Sequence, residues 1–239
     1  QRDPHAAGVG HVQGSAEGRE GRTEASARAW ALGLSFDQDD YNRIERIRIM
    51  LYTETFLREK AYRINRELNR TTDFALKEFA KFDSSKLYDI FLSHSIKDKE
   101  VIQGLAQELK DAGFTVYLDW IEDPLLDRSN VTKATAALLQ ARMKASSSLI
   151  FAYSDNSPSS KWMPWELGYF NGLKDKVTVV QIVLTENLGK QFPGQEYLEL
   201  YPYIDHAPST TDSKDLIWVN DRVGKSVSYQ KWLKTGIIA

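Results

Sequence analysis

Apolar and polar positions alternate in two different periods along this chain, and the change of period marks its organisation. From Asp37 to Phe82 glycine and proline are absent, and Ile44, Ile47 and Leu51, then Ala61, Ile64 and Leu68, recur at helical spacing. Asp37, Asp39 and Asp40 give an acidic start that suits a helix N-terminus. Thr71, Thr72 and Asp73 are placed to cap a second helix through Phe74, Leu76 and Phe79. One or two helices are therefore expected here. Their charged outer faces suit packing on a neighbouring domain or exposure to solvent, and the apolar seam does not keep a strict heptad.

From Tyr88 the pattern becomes short apolar runs separated by amphipathic stretches. Tyr88–Ser93, Phe114–Leu118, Ser147–Tyr153 and Val177–Leu184 read as strands. Helices are expected between them: one through Val101, Leu105 and Leu109 ending at Gly113, one through Ala134, Leu138, Leu139 and Met143, and one over Lys161–Leu173. Ser95 with Asp98 has the spacing of a capping box. Strands joined by helices imply βαβ units and an open parallel sheet with helices on both faces. Leu216–Val219 reads as a final strand and Ser228–Leu233 as a short helix. The expected division is a disordered segment over 1–35, a helical region over 36–85 and an α/β domain over 86–239.

Composition refines this picture. The first 33 residues hold six glycines and seven alanines with no sustained period, too little apolar surface to offset the entropy of ordering. Over the whole 239 residues, 42% are hydrophobic and 11% aromatic, enough for a core of ordinary size. Thirty-one basic against 33 acidic residues leave a net charge of -2, which gives no electrostatic reason to expect nucleic acid. The absence of cysteine removes disulfides, thiolate nucleophiles and Cys-bearing zinc sites. No apolar run nears the roughly 20 residues that span a bilayer, and no basic-then-apolar leader is present. A cytoplasmic protein without a membrane or nucleic-acid partner is expected.

In open parallel sheets ligands sit beyond the carboxyl ends of the strands. That rule selects Ser93–Ile96, a loop over Asp119–Ser129, and Ser154–Trp165. No G-x-G-x-x-G or G-x-S-x-G occurs, and Gly224-Lys225-Ser226 lacks the first glycine of a phosphate loop. The histidines at 5, 11, 94 and 206 have no ligand spacing, so no metal is expected. The informative segment is Ser157-Pro-Ser-Ser-Lys-Trp162-Met-Pro-Trp165-Glu166-Leu167. Pro164 suits the first turn of a helix, and Trp162 and Glu166, four apart, then share a face. This segment alone serves equally as a core tryptophan with a surface glutamate.

The strand Tyr88-Asp-Ile-Phe-Leu-Ser-His-Ser95, the strand Phe114–Asp119 with its following loop, and Ser148–Ser154 followed by Ser157, Ser160, Trp162 and Glu166-Leu167 resemble, in order, the Toll/interleukin-1 receptor (TIR) domain family. The resemblance covers about residues 87–184 and implies a flavodoxin-like fold. The tail, with Tyr197–Pro202 and Leu216–Val219, is similar to stand-alone bacterial members. The resemblance implies cleavage of NAD at the nicotinamide–ribose bond, with Glu166 as the catalytic carboxylate. It further implies, as in several bacterial members, a cyclised ADP-ribose product used as an antiphage signal.

Nicotinamide leaves NAD as a neutral molecule, so no general acid is required, and one ionised carboxylate suffices to offset an oxocarbenium-like transition state. Trp120 is a candidate cover for the pyridinium ring and equally a packing residue. Trp162 is the other aromatic candidate, as a wall beside Glu166. Asp119 serves ribose positioning or loop capping. Ser93, His94 and Ser95 offer hydroxyl and backbone donors for ribose or phosphate, Ser95 being first a helix cap. His94 stands where the family often carries a basic group. Ser157 orients the loop before the catalytic helix or simply closes a turn. NAD is expected as substrate with no separate cofactor. Self-association, helped by the 37–82 helices, and a downstream effector that senses the product are the expected partners. A non-catalytic adaptor acting through TIR–TIR contacts, and a nucleoside-processing transferase on a similar sheet, are the alternatives.

Overall fold

Strand β2 (Tyr88–Ser93) and strand β4 (Ser146–Tyr153) lie side by side at the centre of an eight-stranded sheet, and nearly every residue of both is buried. The structure is a computed structural model that describes residues 51–67, 86–123, 126, 132–184, 195–208, 215–221 and 225–238. All of these belong to the unit spanning residues 44–239. The expectations for residues 1–35 and for a second helix beginning near Thr71 lie outside the described residues.

The remaining elements are β1 (Tyr52–Thr53), α1 (Glu54–Glu67), α2 (Lys99–Asp111), β3 (Val116–Tyr117), α3 (Asp119–Glu122), α4 (Lys133–Lys144), α5 (Trp162–Lys174), β5 (Val177–Val183), β6 (Tyr203–Pro208), β7 (Asp215–Asn220), β8 (Ser226–Ser228) and α6 (Tyr229–Thr235). Sheet order is β3-β2-β4-β5-β6-β7-β8, with β1 paired to the end of β5. From β3 to β6 every pairing is parallel, and β6-β7-β8 continue as antiparallel neighbours. Leaving β1 aside, the five parallel strands run in the 2-1-3-4-5 order of flavodoxin-like sheets.

The period of two along each strand sorts side chains to two cores. Ile90, Leu92, Ile150, Ala152, Val180 and Ile182 face one cluster, into which α2 places Val101, Ile102, Leu105 and Leu109. Phe91, Leu149, Phe151, Val177 and Val179 face the other, filled by Leu139 and Met143 of α4 and by Met163, Leu167 and Phe170 of α5. Such two-sided cover explains the continuous apolar runs in the sequence. Helix α2 ends where Gly113 adopts φ +92, a left-handed conformation that glycine takes at little cost.

Three features differ from the sequence expectation. Tyr52 and Thr53, inside a stretch read as helical, pair in parallel with Ile182 and Val183. Residues Asp119–Glu122, read as the start of a long loop, form one helical turn. Leu216–Val219 is not the last strand: β7 lies between β6 and β8. Helix α1 packs on α2 so closely that a Cβ at Gly104 would sit 2.0 Å from the Leu57 carbonyl oxygen. Ion pairs Lys60–Glu108 at 2.8 Å and Arg58–Glu100 at 2.8 Å flank this contact. Among the described residues no helix is long and apolar enough to cross a membrane.

Candidate active site

The parallel strand order changes direction at β2 and β4: from β2 the chain passes outward to β3, then returns to the opposite side as β4. A crevice opens beyond the carboxyl ends of two strands at such a switch point. Here those ends are Ser93 and Tyr153–Ser154, and α5 follows the loop after β4.

Glu166 lies in the second turn of α5, with no solvent exposure. The Ser93 hydroxyl donates to Glu166 Oε2 at 2.6 Å, a bond between residues 73 apart in sequence. A buried carboxyl group is costly unless hydrogen-bonded, and Ser93 supplies such a bond. The end of β2 therefore fixes one oxygen of a carboxylate carried by α5.

A second bond crosses the same crevice. Asp98, 2% exposed, accepts from Ser154 Oγ at 2.5 Å and from Asn156 Nδ2 at 2.5 Å. The capping-box expectation is corrected here. Ser95 does cap, accepting from the Lys97 N–H at 3.4 Å, but the Asp98 carboxylate turns to the β4–α5 loop.

His94 and α3 form the neighbouring wall. His94 Nδ1 lies 2.7 Å from the Leu92 carbonyl oxygen, which can only accept, so Nδ1 carries the proton. Nε2 makes no hydrogen bond among the described residues and stands 3.4 Å from Asp119 Oδ1. The Trp120 ring meets the His94 ring edge-on, with centroids 4.6 Å apart. Asp119 Oδ1 also accepts from the Trp120 N–H at 2.7 Å. Asp123, directly after α3, is gripped from below: Arg142 of α4 donates from Nε at 2.9 Å and from Nη2 at 2.8 Å, and the Tyr117 hydroxyl adds a bond at 2.8 Å. Both charged side chains of that pair are buried.

The family model for the TIR domain matches residues 90–216, more than half of the chain and the parallel core from Ile90 in β2 to the end of β6. The chain belongs to the TIR-domain family. A protein of Bacillus cereus (strain MSX-D12), named "Probable 3′ cyclic ADP-D-ribose synthase ThsB′", is 41% identical over 190 residues, 77% of this chain and 98% of that protein. A second relative, from Cytobacillus dafuensis, is named provisionally as a cyclic ADP-D-ribose synthase, TIR2. It is 36% identical over 87 residues, 36% of this chain and 23% of its own length.

Within this TIR domain the sequence-predicted residues fall into two groups. Ser93 and Glu166 meet directly, and His94, Asp119 and Trp120 form a contiguous wall beside them. Trp162 does share the buried side of α5 with Glu166, but its ring packs into the cluster with Tyr153 and Phe170 and meets Trp165 edge-on at 5.4 Å. The Ser157 hydroxyl is engaged with backbone, accepting from the Ser154 N–H at 2.8 Å and donating to the Ala152 carbonyl at 3.1 Å. It closes the turn before α5. Asp98 was read from the sequence only as a capping partner of Ser95, and Asp123 and Arg142 were not singled out at all.

Proposed function

We propose that this TIR domain cleaves NAD at the nicotinamide–ribose bond and closes the remaining ADP-ribose into a cyclic product. The observation that carries the reading is the buried Glu166 carboxylate, held by Ser93 at the switch point of the sheet. The similarity to proteins named as cyclic ADP-D-ribose synthases, one of them matched along 98% of its length, supports it.

The chemistry needs little from the protein. The C1′–N bond breaks with both electrons going to the pyridinium nitrogen, and nicotinamide departs neutral. Glu166 offsets the positive charge left on the ribose, and it requires no second carboxylate to protonate the leaving group. A hydroxyl of the same molecule then attacks C1′ and loses its proton, giving the cyclic product; water in its place gives ADP-ribose. Ser93 fixes the carboxylate, while Asp119 and Trp120 wall the ribose and nicotinamide side. In this reading the product is a diffusible signal in antiphage defence.

Glu166 has no exposed surface in the single chain. Catalysis therefore requires the cover over the carboxylate to open, and self-association is the route we propose. The test is a product-resolved assay with NAD, run on dispersed and on forced-assembly samples. Wild type should release nicotinamide and a cyclic product, and Glu166→Gln should not. Release no greater than that of Glu166→Gln under both conditions overturns the enzymatic reading. The burial of Glu166 favours a second reading, a non-catalytic association module, which full downstream output from Glu166→Gln would support.

A further inference from the structure

A cavity of about 400 Å³ opens at the β3 margin of the sheet, between α2, β3 and α3. None of its lining residues belongs to Ser93–Ser95 or to α5, so it is separate from the Glu166 crevice. Its volume falls in the range of small-molecule sites. Phe114, Val116, Leu118 and Ile121 give it apolar walls.

The charges around it are unevenly matched. Glu122 is satisfied: Lys86 Nζ donates to its two oxygens at 2.8 and 2.7 Å, and the Tyr88 hydroxyl donates at 2.8 Å. The Lys110 amine, across the cavity on α2, makes no hydrogen bond or ion pair with any of the described residues. Lys110 is exposed at the rim, where partial desolvation by the cavity wall lowers its amine from the usual lysine range, Glu122 opposing this and Lys86 adding to it. An apolar slot with a cation at its rim that no described residue pairs directly suits an organic anion: the body takes the walls and the acid group takes Lys110.

The cavity also touches the machinery of the crevice. Leu118, Ile121 and Glu122 line it, and the same single turn carries Asp119 and Trp120 against His94. We propose that this cavity binds a small organic anion with a flat apolar body, and that occupation acts on the Glu166 crevice through α3. The second half rests on the NAD-cleaving reading; the first does not.

The probe is 8-anilinonaphthalene-1-sulfonate, an anion of that class, titrated into the full chain by calorimetry. One saturable site is expected. Binding should weaken at least tenfold in Lys110→Glu and in Gln107→Trp, which fills the cavity from α2, and should persist in Lys110→Arg and in Glu166→Gln. Circular dichroism on each variant verifies the fold. Equal binding by wild type, Lys110→Glu and Gln107→Trp overturns the site, as does loss confined to Glu166→Gln. The coupling is read as a change of at least twofold in nicotinamide release when the probe saturates wild type, absent in Lys110→Glu. An unchanged rate at saturation overturns the coupling. A chain that binds the probe at Lys110 but never cleaves NAD refutes the enzymatic reading alone.

Discussion

Asp98 and Ser154, on opposite sides of the crevice, are joined by a hydrogen bond of 2.5 Å, and Asn156 closes on the other oxygen of the same carboxylate. One buried side chain thus ties the segment after β2 to the loop that launches α5. Replacing Asp98 by Ala removes the carboxylate that the Ser154 hydroxyl and the Asn156 amide both donate to. The expected cost is about 1–3 kcal/mol in urea unfolding, with a larger loss of nicotinamide release than of stability. Asp98→Asn, which keeps one acceptor, should lie between the two.

Gly104 is required by the approach of α1. With an added Cβ only 2.0 Å from backbone oxygen, neither partner can relieve the clash by a rotamer change. Gly104→Ala should destabilise the chain by roughly 1–3 kcal/mol despite the better helix propensity of alanine. Denaturant titration followed by circular dichroism measures it. A neutral or stabilising result would mean that α1 does not sit on α2 in solution.

The buried pair of Arg142 and Asp123 should behave asymmetrically. Arg142→Met strands a carboxylate in the core and should cost about 3–5 kcal/mol, whereas the double change Arg142→Met with Asp123→Leu should recover most of that loss. A double-mutant cycle in urea provides the numbers. If the double variant is as unstable as the single one, the pair does not act as a unit.

Asp205 sets a pH dependence. Burial on β6 pushes its carboxyl up to about 6, and the nearby Asn220 amide pulls it partly back. The native state therefore prefers the protonated acid. Its contribution to stability is complete below about pH 4 and is lost as pH rises through about 6, amounting to roughly 3 kcal/mol. Wild type minus Asp205→Asn, followed by unfolding from pH 4 to 7, should show that decline. A difference that is flat with pH would refute it.

What the sequence revealed depends on how far each signal reaches. Strands β2, β4 and β5 were legible because two-sided burial demands apolar runs, whereas Glu166 was picked out by the resemblance to the TIR family, its local spacing to Trp162 and Pro164 fitting core and surface equally. The crevice bonds were not. Ser93 and Glu166 lie 73 residues apart, and Asp98 and Ser154 lie 56 apart. Asp98 also satisfied a local capping pattern, and a local reading stops there. Strand β6 was hidden because Asp205 and His206 interrupt its apolar pattern, and β8 because it has three residues. Strand β1 was hidden because two residues next to a helix have no period of their own; their partner is β5, 130 residues onward.

That short pairing of Tyr52 and Thr53 with the end of β5 has a practical corollary. A fragment cut to the family boundaries, 90–216, would discard β1, α1, β8 and α6 together. It would strip the cover from Gly104 and remove the hydroxyl that Tyr229 shares with Ser148. Anyone excising the parallel core for crystallisation or screening should begin no later than residue 51 and keep the last helix.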